Sequence, residues 1–432
     1  MRRSWLPLLL ALILPALPVV AGEEIPGAPQ KQPIALVNAV IHTVANGTIP
    51  HGTVVFDNGR ITAVGDAVTP PSNARVIDCE GKHVYPGFIT ASTILGLSEI
   101  DAVRSTRDFS EVGTINPNVR AETAYNPDSE IIPTVRSNGI LIANVTPGGG
   151  LIAGMASVMR LDGWTREDIA IKPRAAMVMN WPAMDVATGW WVRKSAEEQQ
   201  KEIDKDFREV YRVFDEARAY SQMAQARVDT NRRDIRMEAM RAIFEDSLPV
   251  IVYVTTRRQI EATLDFAKHY GLRLILAGAE DIGLVLPQLQ RAGVSVIIPR
   301  VHALPRHDED AYDAPYALPA LLARNNIPFA FSEFGTWQQR NLPFHAGTAV
   351  AFGLSEADAE RSLTLVPARM LGIDASYGSI ETGKSATLFV SAGNALDALT
   401  NKVEQAFIDG RSVDLSNRHI RLSKKYRERY KQ

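Results

Sequence analysis

The strongest constraint on the fold is an alternation through the middle of the chain. Short β-branched runs are each followed by a stretch with helical character. Pro249-Val250-Ile251-Val252-Tyr253-Val254 leads into a helix expected over residues 257–270. Leu272-Arg273-Leu274-Ile275-Leu276-Ala277-Gly278 leads into another, expected over 281–292. Ile140-Leu141-Ile142-Ala143-Asn144-Val145 comes earlier, and Val294-Ser295-Val296-Ile297-Ile298-Pro299 and Pro328-Phe329-Ala330-Phe331-Ser332 follow. Runs this continuous imply strands covered on both faces, and intervening helices imply parallel connections. Sustained over residues 85–375, the pattern predicts an α/β fold, a closed (β/α)8 TIM-like barrel rather than an open doubly wound sheet. No Gly-x-Gly-x-x-Gly follows any of the runs, which argues against a dinucleotide fold.

The two ends have a different texture. Ile34-Ala35-Leu36-Val37-Asn38-Ala39-Val40-Ile41 and Gly52-Thr53-Val54-Val55-Phe56 are short apolar runs, punctuated by Asn46-Gly47 and Asp57-Asn58-Gly59. Far downstream, Thr387-Leu388-Phe389-Val390 reads as a strand and residues 403–413 as a hairpin around Asp409-Gly410. Neither fragment has enough strands to be stable alone. One joint unit is expected, a small composite β-sandwich of residues 33–84 plus 376–417, with the barrel inserted between its halves.

Composition works mainly by exclusion. A formal net charge of -2 over 432 residues offers no overall basic footprint for nucleic acid. The single cysteine, Cys79, allows no internal disulfide and reads as a buried small hydrophobe. Arg2-Arg3, the apolar run over 6–20 and the exit Val19-Val20-Ala21 have the form of a cleavable signal peptide, residues 1–21. A periplasmic or secreted mature protein is expected, without a transmembrane segment. Residues 23–32, rich in Pro and Gln, are expected to be a disordered leader.

Residues 196–246 are helical and charged, with Ile203, Phe207, Val210, Tyr211 and Phe214 on one stripe. An outer barrel helix with an elongated insertion is the plain reading, and a partner-binding surface is the alternative. Lys424-Lys425-Tyr426-Arg427-Glu428-Arg429 reads as a solvated end of mixed charge.

The crossing into the barrel is Val84-Tyr85-Pro86-Gly87-Phe88-Ile89-Thr90-Ala91-Ser92-Thr93-Ile94. It resembles the first-strand signature of the amidohydrolase superfamily, Pro-Gly-hydrophobic-Ile-Asp-x-His-x-His, whose histidines bind a catalytic metal. Thr90 stands at the Asp position, and Ser92 and Ile94 at the two His positions. Thr146-Pro147-Gly148-Gly149-Gly150-Leu151-Ile152-Ala153-Gly154, Arg340-Asn341-Leu342-Pro343 and Leu365-Val366-Pro367-Ala368-Arg369 resemble a branch of that superfamily, the secreted imidazolonepropionase-like amidohydrolases. The likeness spans residues 33–417. It implies a metal at the strand ends that activates water, and a carboxylate that moves its proton. The later positions of that site match Tyr253, Glu280 and Glu333. None is histidine.

That difference is large in energy. A zinc-bound water titrates near ~7 against ~15.7 for free water, an activation of up to ~12 kcal/mol. A positioned side-chain base supplies roughly 3–5 kcal/mol. No zinc or other cofactor is therefore expected, no catalytic residue is assigned, and the pocket is expected to be dry, with Ile94 filling the metal's place. Pocket-rim candidates are Gly148, Gly149 and Gly150, suited to cradling an anion, together with His302, Arg340 and His345. The cluster His302, His307, Asp308, Glu309 and Asp310 is the one place from which a metal site could be rebuilt. Three functions follow. The first is an exported amidohydrolase-like protein without the family's metal chemistry, which binds a small ligand or pairs with an active paralogue or a second copy. The second is an active hydrolase of non-peptide C–N bonds in a small cyclic amide or peptide-like substrate, with a rebuilt or metal-free site, zinc being expected only in this reading. The third is a structural interaction protein.

Overall fold

The computed structural model describes residues 25–226, 233–333 and 335–431, and the expected signal peptide lies outside them. The chain opens with strands β1 (Ile34–His42), β2 (Thr48–Asp57), β3 (Arg60–Gly65), β4 (Arg75–Asp78) and β5 (His83–Pro86). A second sheet follows: β6 (Phe88–Thr93), β7 (Ile140–Val145), β8 (Ile152–Arg160), β9 (Ala170–Asn180), β10 (Val250–Val254), β11 (Leu274–Gly278), β12 (Ser295–Ile298) and β13 (Phe329–Phe331). β14 (Leu388–Ser391), β15 (Val403–Ile408) and β16 (Arg411–Ser412) then return to the first sheet.

The first sheet has the order β16-β15-β14-β5-β1-β2-β3, with β4 beside β1. The two chain ends meet where β14 pairs antiparallel with β5, Leu388 opposite Pro86 and Ser391 opposite His83. Two of its hairpins turn on left-handed pairs, Asn58 and Gly59 at φ 48° and 79°, and Asp409 and Gly410 at φ 47° and 75°. These are the conformations a two-residue type I′ turn requires. Leu36, Ile41, Phe56, Leu388 and Phe407 form the core of this sheet, so neither end could bury its apolar face without the other. The start of the described chain corrects the expectation of a disordered leader. The Gln30 side chain donates to Phe56 O at 2.9 Å and accepts from the Gly59 N–H at 3.0 Å, and the Gly27 N–H donates to Asp162 Oδ2 at 3.0 Å. The leader is thus held by backbone atoms of the Asn58-Gly59 hairpin and by the Asp162 carboxylate.

The second sheet runs β13-β12-β11-β10-β9-β8-β7-β6 and curls into a nearly closed barrel. Its ends are joined by side chains. The Ser332 hydroxyl donates to Ser92 O at 2.6 Å, and the Thr93 hydroxyl to Gly335 O at 3.1 Å. The expectation of eight parallel strands needs one correction, because β8 runs antiparallel to both β7 and β9. A parallel connection needs a dozen or more residues. Residues 146–151 are too few, and Gly149 and Gly150, at φ 81° and 63°, turn the chain straight back.

Alternation along the strands sorts their side chains. Ile89, Ile142, Val178, Ile251, Ile275, Ala277, Ile297 and Ala330 share one core inside the barrel. Their neighbours Phe88, Ala143, Met177, Val252, Leu276, Val296 and Phe329 belong to the outer core under the helices. The helix Arg257–Tyr270 starts on a Thr256/Gln259 capping box and stops at left-handed Gly271, as residue type dictates. The helix expected over 281–292 is shorter, a 3-10 turn Ile282–Leu284 and then Leu286–Ala292 with Pro287 in its first turn. The charged segment forms helices Ala196–Gln225 and Ile235–Glu245. Phe214 packs its ring 4.8 Å from Phe266, and Tyr270 donates to Asp215 at 2.9 Å. The pair is thus an outer layer against the barrel helix.

Candidate active site at the barrel mouth

Following the inward register beyond the apolar core identifies what each strand presents at its C-terminal end, where barrels of this kind place their sites. Two residues past Ile251 is Tyr253, past Ile142 come Asn144 and Thr146, past Val178 is Asn180, and past Ala330 is Ser332. With Ser92 they form a layer of hydroxyls and amides without a formal charge. The Ser92 hydroxyl lies in a short hydrogen bond with the Tyr253 phenol and 3.0 Å from the Thr146 hydroxyl, which is 3.3 Å from the same phenol. Asn144 donates to Ala91 O at 2.9 Å and Asn180 to Gly150 O at 2.8 Å. Burial pushes the Tyr253 phenol upward, against the opposing pull of its bonds to Ser92 and Thr146. The cluster is therefore neutral at ordinary pH.

These residues do not fit a catalytic zinc. Such sites keep three protein ligands, imidazole, thiolate or carboxylate. Ser92 and Tyr253 are hydroxyls engaged with each other, and a phenol with a raised pKa does not ionise to become a ligand. Among the described residues no group of three His, Cys, Asp or Glu side chains could hold a metal ion. The expected apolar plug is corrected too. β6 ends at Thr93 and the chain turns, with the Leu97 N–H bonding to Ile94 O at 2.9 Å. Ile94 leaves the strand's alternation and packs against the outer core. A polar hydroxyl cluster takes the place assigned to it.

Charge is collected beside the axis, where a cleft of about 790 Å³ opens between the ends of β11 and β12 and the helix Ala314–Arg324. Ile298, Leu318 and Leu321 give it apolar wall, and Glu333 lines it as well. Asp281, buried just past β11, is the hub of its polar side. Arg306 Nε approaches Asp281 to 3.0 Å, His307 Nε2 to 2.9 Å, and the Arg257 N–H donates to it at 2.9 Å. Arg306 also pairs with Glu280. The Asp281 carboxylate holds the His307 imidazole above its ordinary pKa.

Glu333 is buried and 3.2 Å from His345 Nε2. The His302 N–H points at His345 Nδ1 from 3.4 Å, so Nδ1 accepts and the proton of a neutral ring sits on Nε2, facing the carboxylate. The His302 ring lies 4.4 Å from that of His345, and its Nε2 is 2.7 Å from the Thr348 hydroxyl. Burial, then the neighbouring His345, holds His302 below its usual pKa.

The structure brings some predicted positions together and separates others. Ser92 and Tyr253 meet at the axis, while Glu280 and Glu333 line the cleft instead. His302 and His307 do not converge. One sits over the helix Leu342–Ala351 and the other over Asp281, so the proposed replacement metal cluster is not assembled. The Gly148 N–H donates to Phe109 O at 2.6 Å, and a Cβ on Gly150 would come 2.7 Å from Thr114 O. The glycine loop is thus a hairpin turn packed under residues 109–114, with the Gly148 donor already used. Arg340 bonds to Trp337 O, and its own carbonyl accepts from Asn138, away from the cleft lining. Asn144, Thr146, Asp281 and Arg306 were missed. Period-two counting from Ile142 finds the first two, but nothing local in sequence joins Asp281 to Arg306.

A mixed-strand barrel carried on a sheet built from both chain ends is the amidohydrolase architecture. The fold matches a solved amidohydrolase of Thermotoga maritima with a TM-score of 0.77 at 21% identity, over 88% of this chain and 99% of that one. It also matches molinate hydrolase with a TM-score of 0.55 at 15% identity, over 90% and 96%. In sequence, the amidohydrolase tasK of Hapsidospora irregularis is 23% identical over 418 residues, 86% of this chain, and the chain spans 41% of that relative's length. No protein-family model matches. The chain thus has the amidohydrolase fold and is similar in sequence to a known amidohydrolase.

Proposed function

We propose that this protein is an exported amidohydrolase-fold protein that binds a small ligand in the off-axis cleft and does not carry out the superfamily's metal-dependent hydrolysis. One observation carries the reading. The strand ends that resemble metal-ligand positions present Ser92 and Tyr253, and these saturate one another and Thr146. The cleft supports the ligand-binding half, since it is concave, partly apolar and lined by a few converging charged groups. Pairing with an active paralogue is compatible with the same site. Export is supported by Arg2-Arg3, the apolar run after them and Ala21; cell fractionation that recovers the chain only in the cytoplasm removes that part.

Elemental analysis after dialysis, with and without added zinc, tests the central claim. The expected result is substoichiometric metal and no activity lost to a chelator. Near-equimolar zinc, removed together with a hydrolytic activity, overturns it. A second reading rests on Glu333, whose carboxylate lines the cleft with His345 behind it. This pair has the form of a general base with its orienting partner and would serve a metal-free hydrolase of C–N bonds. Screening cyclic amides and dipeptides against wild type and Glu333→Gln separates the two: turnover that Glu333→Gln abolishes supports the hydrolase.

A further inference from the structure

The chain carries a strongly cationic surface that its overall charge conceals. The helix Arg418–Tyr430 buries none of its residues. Arg418, Arg421, Lys424, Lys425, Arg427, Arg429 and Lys431 against Glu428 make this segment +6, in a chain of formal net charge -2. The segment expected to be a solvated end is exposed, and it is helical and predominantly cationic.

The charges are sorted by face. Leu422, Tyr426 and Tyr430 recur every four residues and form one stripe, exposed at 38%, 47% and 81%. At 100° per residue, Arg421, Lys424 and Lys431 lie opposite the stripe with the exposed Ile420 near them, Lys425 and Arg427 lie to either side, and Arg418 and Arg429 sit beside Leu422. Only the first turn is tied to the body. Asn417 caps the helix through Ile420 N and bonds to the Ser137 hydroxyl at 3.2 Å. The His419 ring lies 5.6 Å from Trp337, and Arg421 pairs with Glu130 at 3.1 Å. From Leu422 onward every described residue of the helix is exposed.

We propose that this helix is a peripheral docking element for an anionic phospholipid surface, lying in the headgroup plane with Leu422, Tyr426 and Tyr430 turned toward the acyl boundary. A basic arc opposite an apolar stripe is the pattern of interfacial helices, and tyrosine suits the boundary because its ring is apolar and its hydroxyl wet. Charge complementarity selects the occupant. A nucleic acid would use the cations and leave the stripe in water. A second copy would bring two strongly cationic helices together, and a three-residue stripe is small beside the ~1,200–2,000 Å² that stable protein interfaces bury. The helix does not span a bilayer, since no helix among the described residues is long and apolar enough to do so.

Co-sedimentation of the full chain with vesicles tests the proposal, using phosphatidylcholine with and without phosphatidylglycerol. Wild type should sediment only with the anionic vesicles and be released by salt. Lys424→Gln, Lys425→Gln and Arg429→Gln together should weaken partitioning roughly 100-fold. Leu422→Ser, Tyr426→Ser and Tyr430→Ser together, with every charge kept, should weaken it about tenfold or more. All six side chains are exposed and outside the barrel, so a thermal melt should be unchanged. Equal sedimentation with neutral vesicles, or none with either, overturns the proposal. So does binding to duplex DNA that the serine variant leaves intact and that exceeds binding to lipid, which makes the helix a polyanion site. A dimer in sedimentation velocity that the serine variant dissolves, without lipid binding, assigns the stripe to a second copy and overturns it as well.

Discussion

The barrel axis and the cleft beside it lie at the same end of one sheet and are built on opposite electrostatic plans. At the axis, Ser92, Thr146 and Tyr253 are neutral and satisfied by one another, the first two buried and Tyr253 partly so. In the cleft, Glu280, Asp281, Arg306 and His307 form a charged network that reaches solvent. The contrast shows where a fold that usually concentrates charge at its centre can put charge instead. An uncompensated ion on the axis would lack water and partners, at a cost of several kcal/mol. Three hydroxyls, each donor and acceptor, close a network there with no net charge. Ions survive one strand further round, where the cleft wall leaves one side hydrated.

The comparison can be broken by variants that treat the two regions differently. The largest expected effect is Tyr253→Ala, which empties the axis and leaves Ser92 and Thr146 only each other and the Thr93 carbonyl. It should cost about 3–5 kcal/mol in denaturant unfolding, with little dependence on salt. A loss below ~1 kcal/mol would mean that water replaces the phenol freely. Asp281→Asn removes the hub of the cleft and leaves Arg306 and His307 facing an amide. A cost of about 2 kcal/mol is expected, and it should shrink at high salt, unlike that of the axis variant. Tyr253→Phe keeps the ring and deletes the hydroxyl, so about 1 kcal/mol should be lost. It should also remove part of the alkaline destabilisation of wild type. The folded phenol titrates above its ordinary value, so above that value the unfolded state alone ionises and stability falls.

The smallest effect sharpens the comparison through pH. His307 titrates above its reference value of 6.5 because of Asp281. Its contribution is therefore complete below pH 6.5 and is lost as pH rises through the higher folded value. Hydrogen-exchange protection of residues 300–310 should fall over that interval in wild type and stay flat in His307→Gln. The Tyr253 cluster should show no change there.

Much of the architecture was legible because it depends on local chemistry that repeats. β-branched runs and the Asp409-Gly410 turn each act within a few residues, and each predicted its element. Ser92 and Tyr253, which the resemblance places at the ends of different strands, lie in hydrogen-bond contact. The direction of β8 follows from the six residues between it and β7, too few for a parallel crossover. The placement of Ile94 was not legible, because one turn after Thr93 takes it out of the strand's period.

What the sequence by itself determined was which side chains exist at the mouth of the barrel, and hence that no imidazole set is available on the strands that resemble ligand positions. Side-chain chemistry is covalent and survives any packing. Tertiary structure alone decided that Ser92, Thr146 and Tyr253 share one hydrogen-bonded cluster, that Asp281 gathers Arg306 and His307, and that Glu333 faces His345. Those partners come from different strands and loops. Only closure of the sheet into a barrel sets their separations, and hydrogen bonds and ion pairs depend on separation at a scale of tenths of an ångström.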